Sequence, residues 1–180
     1  MVRSLLRAGS IVLALAMAGA ASAAGPTPEN TLILELKSGK VVIELRPDLA
    51  PKHVERVKVL VREKFYDGII FHRVIRGFMA QSGDPTGTGT GGSKYPDLPA
   101  EFTQEPFTRG TIGAARTDDP NTANSQFFIC FNAGCQHLQG QYTVWGKVVE
   151  GMERVDKITP GEPPANPDKI ISARIAGDPQ

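Results

Sequence analysis

Residues 71–84 read FHRVIRGFMAQSGD, a stretch that places an arginine and a glutamine among bulky apolar residues. Side chains alternate between the two faces of a strand, so Phe71, Arg73 and Ile75 lie on one face of the first strand. By the same rule, Met79 and Gln81 share one face of the second strand. A glycine between the two halves favours a bend. If the two faces join across that bend, the side chains of Arg73 and Gln81 point into one apolar pocket lined by Phe78 and Met79.

The pattern leaves a second use for Arg73 open. Most arginines lie at the protein surface, and many pair with a carboxylate there. Such a pair on the outside of the sheet would explain Arg73 without any role in chemistry. The residue pattern alone favours neither use.

Short strands and few helices are predicted for the rest of the chain. Apolar and β-branched runs bounded by turn residues indicate strands, and apolar residues at helical spacing indicate helices. Strands are predicted at residues 31–37, 40–46, 69–75, 78–81, 111–115, 126–131, 142–149 and 169–175, and helices within residues 48–64 and 151–158. We therefore expect a mostly β protein, a closed eight-stranded antiparallel β-barrel with about two flanking helices, because closure removes exposed sheet edges.

A second motif, NTANSQFFIC, occupies residues 121–130. The two motifs, in this order and at this spacing, resemble the signature segments of the cyclophilins. The similarity runs from residue 31 to about residue 177 and includes the opening hairpin and GKVVEG at residues 146–151. It implies a cyclophilin-like fold and peptidyl-prolyl cis-trans isomerase activity, with no covalent intermediate, no cofactor and no metal.

The resemblance also implies roles for individual residues. Arg73 matches the catalytic arginine of the family, and Gln81 matches the side chain that holds a substrate carbonyl. The proline ring of the substrate would enter an apolar pocket, and the preceding residues would lie along a groove. The substrate-binding residues implied in this way are Phe78, Met79, Ala115, Arg116, Thr122, Gln126, Phe128, His137, Leu138 and Tyr142.

The sequence departs from many eukaryotic cyclophilins around the pocket. His137 stands where those members carry a tryptophan that contacts cyclosporin, and Tyr142 replaces a histidine. Asp118 and Asp119 lengthen the rim loop and add charge. These features are similar to the bacterial exported branch, and His137 predicts weak cyclosporin binding.

The amino terminus predicts export. Residues 1–23 carry two arginines, an uncharged apolar run and then Ala21-Ser22-Ala23, the pattern of a secretory signal peptide. A membrane anchor is the alternative, but the apolar run is shorter than the roughly 20 residues needed to span a bilayer. We expect cleavage after Ala23, a linker at residues 24–30 and one domain at residues 31–177, located in the periplasm or secreted.

Charge excludes several kinds of partner. The full chain has 20 basic and 19 acidic residues, and removal of Arg3 and Arg7 turns the net charge of +1 into about −1. A near-neutral protein has no electrostatic preference for nucleic acid or an anionic membrane. The partners we expect are proline-containing segments of unfolded or folding exported proteins, bound by a monomer.

Other functions fit the sequence less well. Residues 87–92 satisfy the G-x-G-x-x-G pattern of dinucleotide binding, but they follow a proline and open no predicted helix. His53, His72 and His137 lack the spacing of metal ligands, and no G-x-S-x-G motif is present. A proline-binding module without turnover would use the same groove, but Arg73, Phe78 and Gln81 together favour an enzyme.

The two cysteines, Cys130 and Cys135, are five residues apart, which fits neither a zinc knuckle nor a C-x-x-C redox motif. Cys130 ends an apolar strand-like run, and a short loop would have to curl back for the two to meet. We expect two free thiols. A local disulfide is the alternative that export would permit.

Overall fold

A computed structural model describes residues 25–179 of the chain, so the predicted signal peptide lies outside the described residues. The strands are β1 (Thr31–Leu36), β2 (Gly39–Leu45), β3 (Arg73–Ile75), β4 (Met79–Ser82), β5 (Thr111–Ala114), β6 (Phe127–Cys130), β7 (Val144–Glu150) and β8 (Ile170–Ile175). The α-helices are α1 (Pro51–Arg62) and α2 (Met152–Val155), and the 3-10 helices are Pro28–Asn30 and Ala133–Leu138.

All eight strands belong to one antiparallel sheet with the order β3-β4-β6-β5-β7-β2-β1-β8. The mostly β fold with eight antiparallel strands is confirmed, but the closed barrel is wrong: the sheet is an open half-barrel. Its end strands β3 and β8 do not pair with each other. The residues just before these two strands form one isolated antiparallel bridge, between Ile70 and Lys169.

Strand β3 is also shorter than predicted. The sequence suggested a strand from residue 69, yet the ladder begins at Arg73. The N–H of Phe71 donates instead to the carbonyl of Asp168, 2.9 Å away. An apolar run is therefore buried here without being part of the sheet.

The sheet buries apolar residues on both faces around the paired strands β4 and β6. Ala80, Phe127 and Ile129 belong to the main core, which also receives the apolar face of α1. Their neighbours Met79 and Phe128 point the other way and join a second apolar cluster outside the half-barrel. The strand alternation thus produces two cores, and the second one underlies the functional site.

Cys130 and Cys135 form a disulfide with a Cα–Cα distance of 6.1 Å, so the expectation of two free thiols is wrong. The 3-10 helix Ala133–Leu138 begins almost directly after β6 and turns the chain back over it. The side chain of Asn132 starts this turn by accepting a hydrogen bond from the N–H of Gly134. Both cysteines are fully buried in the second apolar cluster.

Glu101 closes the amino-terminal end of α1. Its carboxylate accepts hydrogen bonds from the backbone N–H groups of Lys52 and His53, each at 3.1 Å. Burial lowers the pKa of His53, so the imidazole is neutral near pH 7 and its Nδ1 donates to Glu101 at 2.6 Å. One side chain therefore satisfies two free N–H groups of the first helical turn and one buried ring nitrogen.

We predict that Glu101→Ala lowers the free energy of unfolding by about 2 to 3 kcal/mol, because a buried ring and two N–H groups lose a charged acceptor. Denaturant unfolding at pH 7.5 measures the loss. Glu55→Ala, an exposed carboxylate on the same helix, is the control and should stay within about 0.5 kcal/mol of the wild type. Equal stability of the Glu101 variant and the control would contradict this assignment.

Candidate active site

Arg73 and Gln81 lie directly opposite each other on the paired strands β3 and β4. Val74 and Ala80, one position further along, are buried in the main core on the other face. The prediction that the guanidinium and the carboxamide share a face is confirmed by this register. The sheet therefore presents a charged donor and an amide side by side on its outer surface.

An apolar cavity of about 140 Å³ opens beside this pair. Its lining residues are Arg73, Phe78, Met79, Gln81, Ala115, Arg116, Phe128, Leu138 and Tyr142. Met79, Phe128 and Leu138 are buried and belong to the second apolar cluster. The structure thus brings nine of the twelve predicted site residues into one cavity with an apolar floor and polar groups at its edge.

Phe128 is held on three sides. Its ring stacks on Phe107 with centroids 5.8 Å apart, and it meets the ring of Tyr142 edge-on at the same distance. Gly113 lies beneath it, and a Cβ atom at that position would come within 2.4 Å of the Phe128 ring. Sequence reasoning missed Phe107 and Gly113, because neither belongs to the motifs and only the cross-strand pairing brings them here.

Arg116 is a fixed part of the rim. Its guanidinium lies 4.3 Å from the centroid of the Tyr142 ring and donates to the carbonyls of Thr117 and Gln141 at 2.7 and 2.9 Å. These contacts occupy its charge within the protein. Arg116 therefore shapes the cavity wall.

A second, more polar cavity of about 470 Å³ continues from the first and shares Gln81, Ala115 and Arg116 with it. Thr122 and Gln126 line this second cavity and not the apolar one. Together the two cavities form a groove. The residues predicted to contact the substrate before its proline lie along that groove.

Gln81 connects the two cavities through a hydrogen-bond chain. Its Nε2 donates to Oε1 of Gln126 at 2.9 Å, and Nε2 of Gln126 donates to the carbonyls of Gly89 and Gly91 at 3.0 and 2.8 Å. Both amides are thereby oriented by backbone groups of the glycine-rich loop. The loop is thus part of the support of the site.

Asp84 organises that loop. Its carboxylate accepts backbone hydrogen bonds from Thr86, Thr88, Gly89 and Gly91 at 2.6 to 3.1 Å. Burial alone would raise the pKa of Asp84, but these donors prevail and lower it to about 2. Residues 87–92 bend around this aspartate and lead into no helix, so the G-x-G-x-x-G pattern lacks the helix that dinucleotide binding requires.

His137 lies on the 3-10 helix Ala133–Leu138, outside the apolar cavity. Its ring faces Phe78, with centroids 5.6 Å apart and an angle of 32° between the planes. Phe78 itself lines the cavity. The structure therefore places His137 at the outer rim, behind a residue of the pocket wall.

Both uses of Arg73 that the sequence left open occur together. Its Nε donates to Oε1 of Glu162 at 2.7 Å, which is the surface pair, and its side chain also lines the apolar cavity. Glu162 lies 89 residues away in sequence and belongs to no motif. Sequence reasoning contained no signal for it.

Residues 25–179 contain no group of three or more His, Cys, Asp or Glu side chains arranged to hold a metal ion. In the same part of the chain, no helix has the length and apolar character that crossing a membrane requires. His53 and His72 are both buried, and burial lowers the pKa of each. His53 lies on α1 and His72 directly before β3, whereas His137 is exposed on the 3-10 helix Ala133–Leu138.

The nine lining residues of the apolar cavity include no serine, cysteine, lysine or carboxylate that could act as a nucleophile or general base. What the cavity offers is an apolar wall for a small ring and a permanently charged donor beside it. A half-barrel with such a groove offers a binding site for a small apolar ring next to a cationic donor.

The comparisons with known proteins name the family. The family model "Cyclophilin type peptidyl-prolyl cis-trans isomerase/CLD" matches residues 31–175. A Brucella suis protein named "Probable peptidyl-prolyl cis-trans isomerase" is 55% identical over 193 aligned positions, covering 98% of this chain and 97% of the relative. The human "Peptidyl-prolyl cis-trans isomerase-like 3" is 40% identical over 133 positions, covering 71% and 81%.

Solved structures agree with this assignment. A cyclophilin from Hirschia baltica has a TM-score of 0.78 at 30% identity, covering 86% of this chain and 77% of that chain. A cyclophilin-type isomerase from Cryptosporidium parvum, whose structure was determined in the presence of the dipeptide Ala-Pro, has a TM-score of 0.76 at 28% identity, covering 82% and 99%. The chain belongs to the cyclophilin-type peptidyl-prolyl cis-trans isomerases.

Proposed function

We propose that this isomerase assists the folding of exported proteins by catalysing rotation about their X-Pro bonds, with Arg73 as the catalytic donor. The observation that carries the mechanism is the position of Arg73 at the edge of an apolar cavity large enough for a small ring. Arg116, the other cationic side chain that lines this cavity, is held by two backbone carbonyls and by Tyr142.

The chemistry follows from the nature of the amide bond. An X-Pro bond rotates slowly because conjugation gives it double-bond character, with a barrier of roughly 18 to 20 kcal/mol. Rotation makes the prolyl nitrogen pyramidal and restores its lone pair. A donor aimed at that nitrogen binds the twisted state more tightly than either planar state, and the barrier falls by the difference.

Arg73 suits this task because a guanidinium is always charged and carries five N–H donors. A hydrogen bond to a charged group contributes about 1.5 to 3 kcal/mol. Each tenfold acceleration requires about 1.4 kcal/mol, so Arg73 alone accounts for one to two decades in rate. Any larger acceleration has to come from the way the substrate is held.

The cavity and the groove supply that second contribution. Met79, Phe128 and Leu138 hold the proline ring, while Gln81 and the polar cavity guide the carbonyl side as it rotates. The stacked environment of Phe128 keeps the wall rigid. Exclusion of water by this wall strengthens the contact of Arg73 with the nitrogen.

Two independent features support a site of action outside the cytoplasm. Residues 1–23 have the pattern of a secretory signal peptide. The Cys130–Cys135 disulfide suits an oxidising compartment, where such bonds persist. Proline isomerisation can limit folding, so the partners would be proline-containing segments of folding exported proteins, bound by a monomer.

Export can be tested together with the disulfide. Expression of the full chain in a Gram-negative host should give a periplasmic protein that begins at Ala24 and shows no free thiol when denatured without reductant. A version without residues 1–23 should stay in the cytoplasm and show two titratable thiols. A full-length chain that stays cytoplasmic and uncleaved would contradict the proposed location.

We predict that Arg73→Ala loses at least about tenfold in kcat/KM for a short X-Pro peptide in a protease-coupled assay, at an unchanged denaturant midpoint. Arg73→Lys should also be impaired, because an ammonium lacks the planar fork. The control is Arg76→Ala, an exposed arginine at the turn after β3, which should keep the wild-type rate. A wild-type rate for Arg73→Ala would refute the mechanism.

His137 predicts ordinary turnover with weak cyclosporin inhibition. A tryptophan offers a large flat face and an N–H donor, whereas a histidine removes roughly 100 Å² of apolar contact, worth about 2.5 kcal/mol or nearly two decades in affinity. Because His137 lies behind Phe78 at the rim, a short peptide should depend on it little.

Inhibitor titrations of the wild type and His137→Trp in one assay measure this difference. We expect tighter inhibition of the variant, with peptide turnover within about threefold of the wild type. Nanomolar inhibition of the unmodified protein would show that the role assigned to His137 is wrong.

A further inference from the structure

The ion pair of Arg73 with Glu162 uses only one edge of the guanidinium. The bond runs from Nε to Oε1 at 2.7 Å, and among residues 25–179 Glu162 is the one hydrogen-bond acceptor that the structure gives to the Arg73 guanidinium. A guanidinium carries one N–H at Nε and four at the two Nη atoms. The Nη groups, at the far end of the side chain, are therefore left to a substrate.

The segment that carries Glu162 is attached to β3 by backbone bonds. Val74 and Gly161 exchange two hydrogen bonds, N–H to C=O in both directions, at 2.8 and 2.9 Å. Arg73 and Glu162 are the direct chain neighbours of this bridged pair. The Glu162 carboxylate therefore contacts Arg73 from a backbone segment that is hydrogen-bonded to β3, the strand that carries Arg73.

Two further features hold the segment in shape. Asp168 accepts from the N–H and the hydroxyl of Thr159, both at 2.8 Å, and so closes the loop from residue 159 to residue 168. Gly161 has φ of +149°, and a Cβ atom there would come within 2.5 Å of Pro164. These contacts fix the conformation of the loop before β8. Glu162 is the only side chain of this loop that hydrogen-bonds to Arg73.

Stability does not account for this pair. The side chains of Arg73 and Glu162 are 43% and 53% exposed, and exposed ion pairs contribute little to folding stability. The pair matters more for orientation, because a free arginine side chain has a large rotamer entropy. A partner that fixes Nε removes much of this freedom before the substrate arrives.

We propose that Glu162 is a positioning residue for catalysis: it holds Arg73 by Nε so that the Nη groups face the prolyl nitrogen in the apolar cavity. This inference rests on the catalytic role proposed for Arg73. Glu162 itself does not line the cavity. Its effect reaches the substrate only through the guanidinium.

The negative charge of Glu162 acts against catalysis, whereas its hydrogen bond to Arg73 favours catalysis. Two substitutions separate these effects. A carboxylate near the guanidinium weakens the positive potential at the prolyl nitrogen, so removal of its charge alone would favour catalysis. Glu162→Gln keeps an oxygen that accepts from Nε but removes the charge, while Glu162→Ala removes both. Positioning predicts a slow alanine variant and a glutamine variant close to the wild type.

The experiment is a double-mutant cycle in the protease-coupled assay. Glu162→Ala is measured in the wild type and in Arg73→Ala, together with peptide affinity and the denaturant midpoint of each protein. Glu150→Ala is the matched control, because it breaks a comparably exposed ion pair, with Lys40, away from the site. The 15N NMR signal of the Arg73 Nε–H reports directly on the bond.

We expect Glu162→Ala to lower kcat/KM by roughly three- to tenfold, with peptide affinity within about twofold and the Arg73 Nε–H signal broadened or lost. Glu162→Gln should stay within about threefold of the wild type. In the Arg73→Ala background, Glu162→Ala should cause no further loss, whereas a merely structural role would cost the same in both backgrounds.

Three results would overturn the inference. They are a wild-type or faster rate for Glu162→Ala, an equal loss in both backgrounds, and an equal loss for the Glu150→Ala control. A slow Arg73→Ala with a fast Glu162→Ala would remove this inference and leave the proposed function intact. A wild-type rate for Arg73→Ala would overturn both.

Discussion

Strands β4 and β6 pair so that Met79 lies opposite Cys130, Ala80 opposite Ile129 and Gln81 opposite Phe128. Because side chains alternate along a strand, this register divides the residues between the main core and the outer cluster. A slip by one position would exchange the two sets and put the pocket floor inside the half-barrel. The proposed catalytic surface thus depends on the same backbone pairing that builds the core, and the pocket needs no separate scaffold.

The polar part of the site depends on the buried carboxylate of Asp84 and on the half-buried amides of Gln81 and Gln126. Asp84 gathers the N–H groups of the glycine-rich loop, and the carbonyls of that loop then orient Gln126, which accepts a hydrogen bond from Gln81. The pKa of Asp84 is low because these hydrogen bonds stabilise its charged form. In the proposed mechanism, the groove on one side of Gln81 and the apolar wall on the other would leave the X-Pro bond of the substrate as the part that moves.

The sequence predicted what local alternation controls and missed what depends on distant contacts. The common face of Arg73 and Gln81 followed from strand geometry, and so did the number of strands. The open edge did not, because it depends on how far β3 extends before its chain leaves the ladder. The disulfide required the 3-10 turn after Cys130, and Glu162 is brought to Arg73 by a loop with no periodic signal.

The open half-barrel has an edge at β3, and there Val74 directs both its N–H and its C=O to Gly161. A bare edge strand is a template on which a foreign strand can add, and an isomerase with the unfolded substrates proposed above would meet many such strands. The bridge to Gly161 occupies the backbone groups of Val74 that such a strand would use. The loop from residue 159 to residue 168 therefore leaves Val74 with no free backbone donor or acceptor at this edge of the sheet.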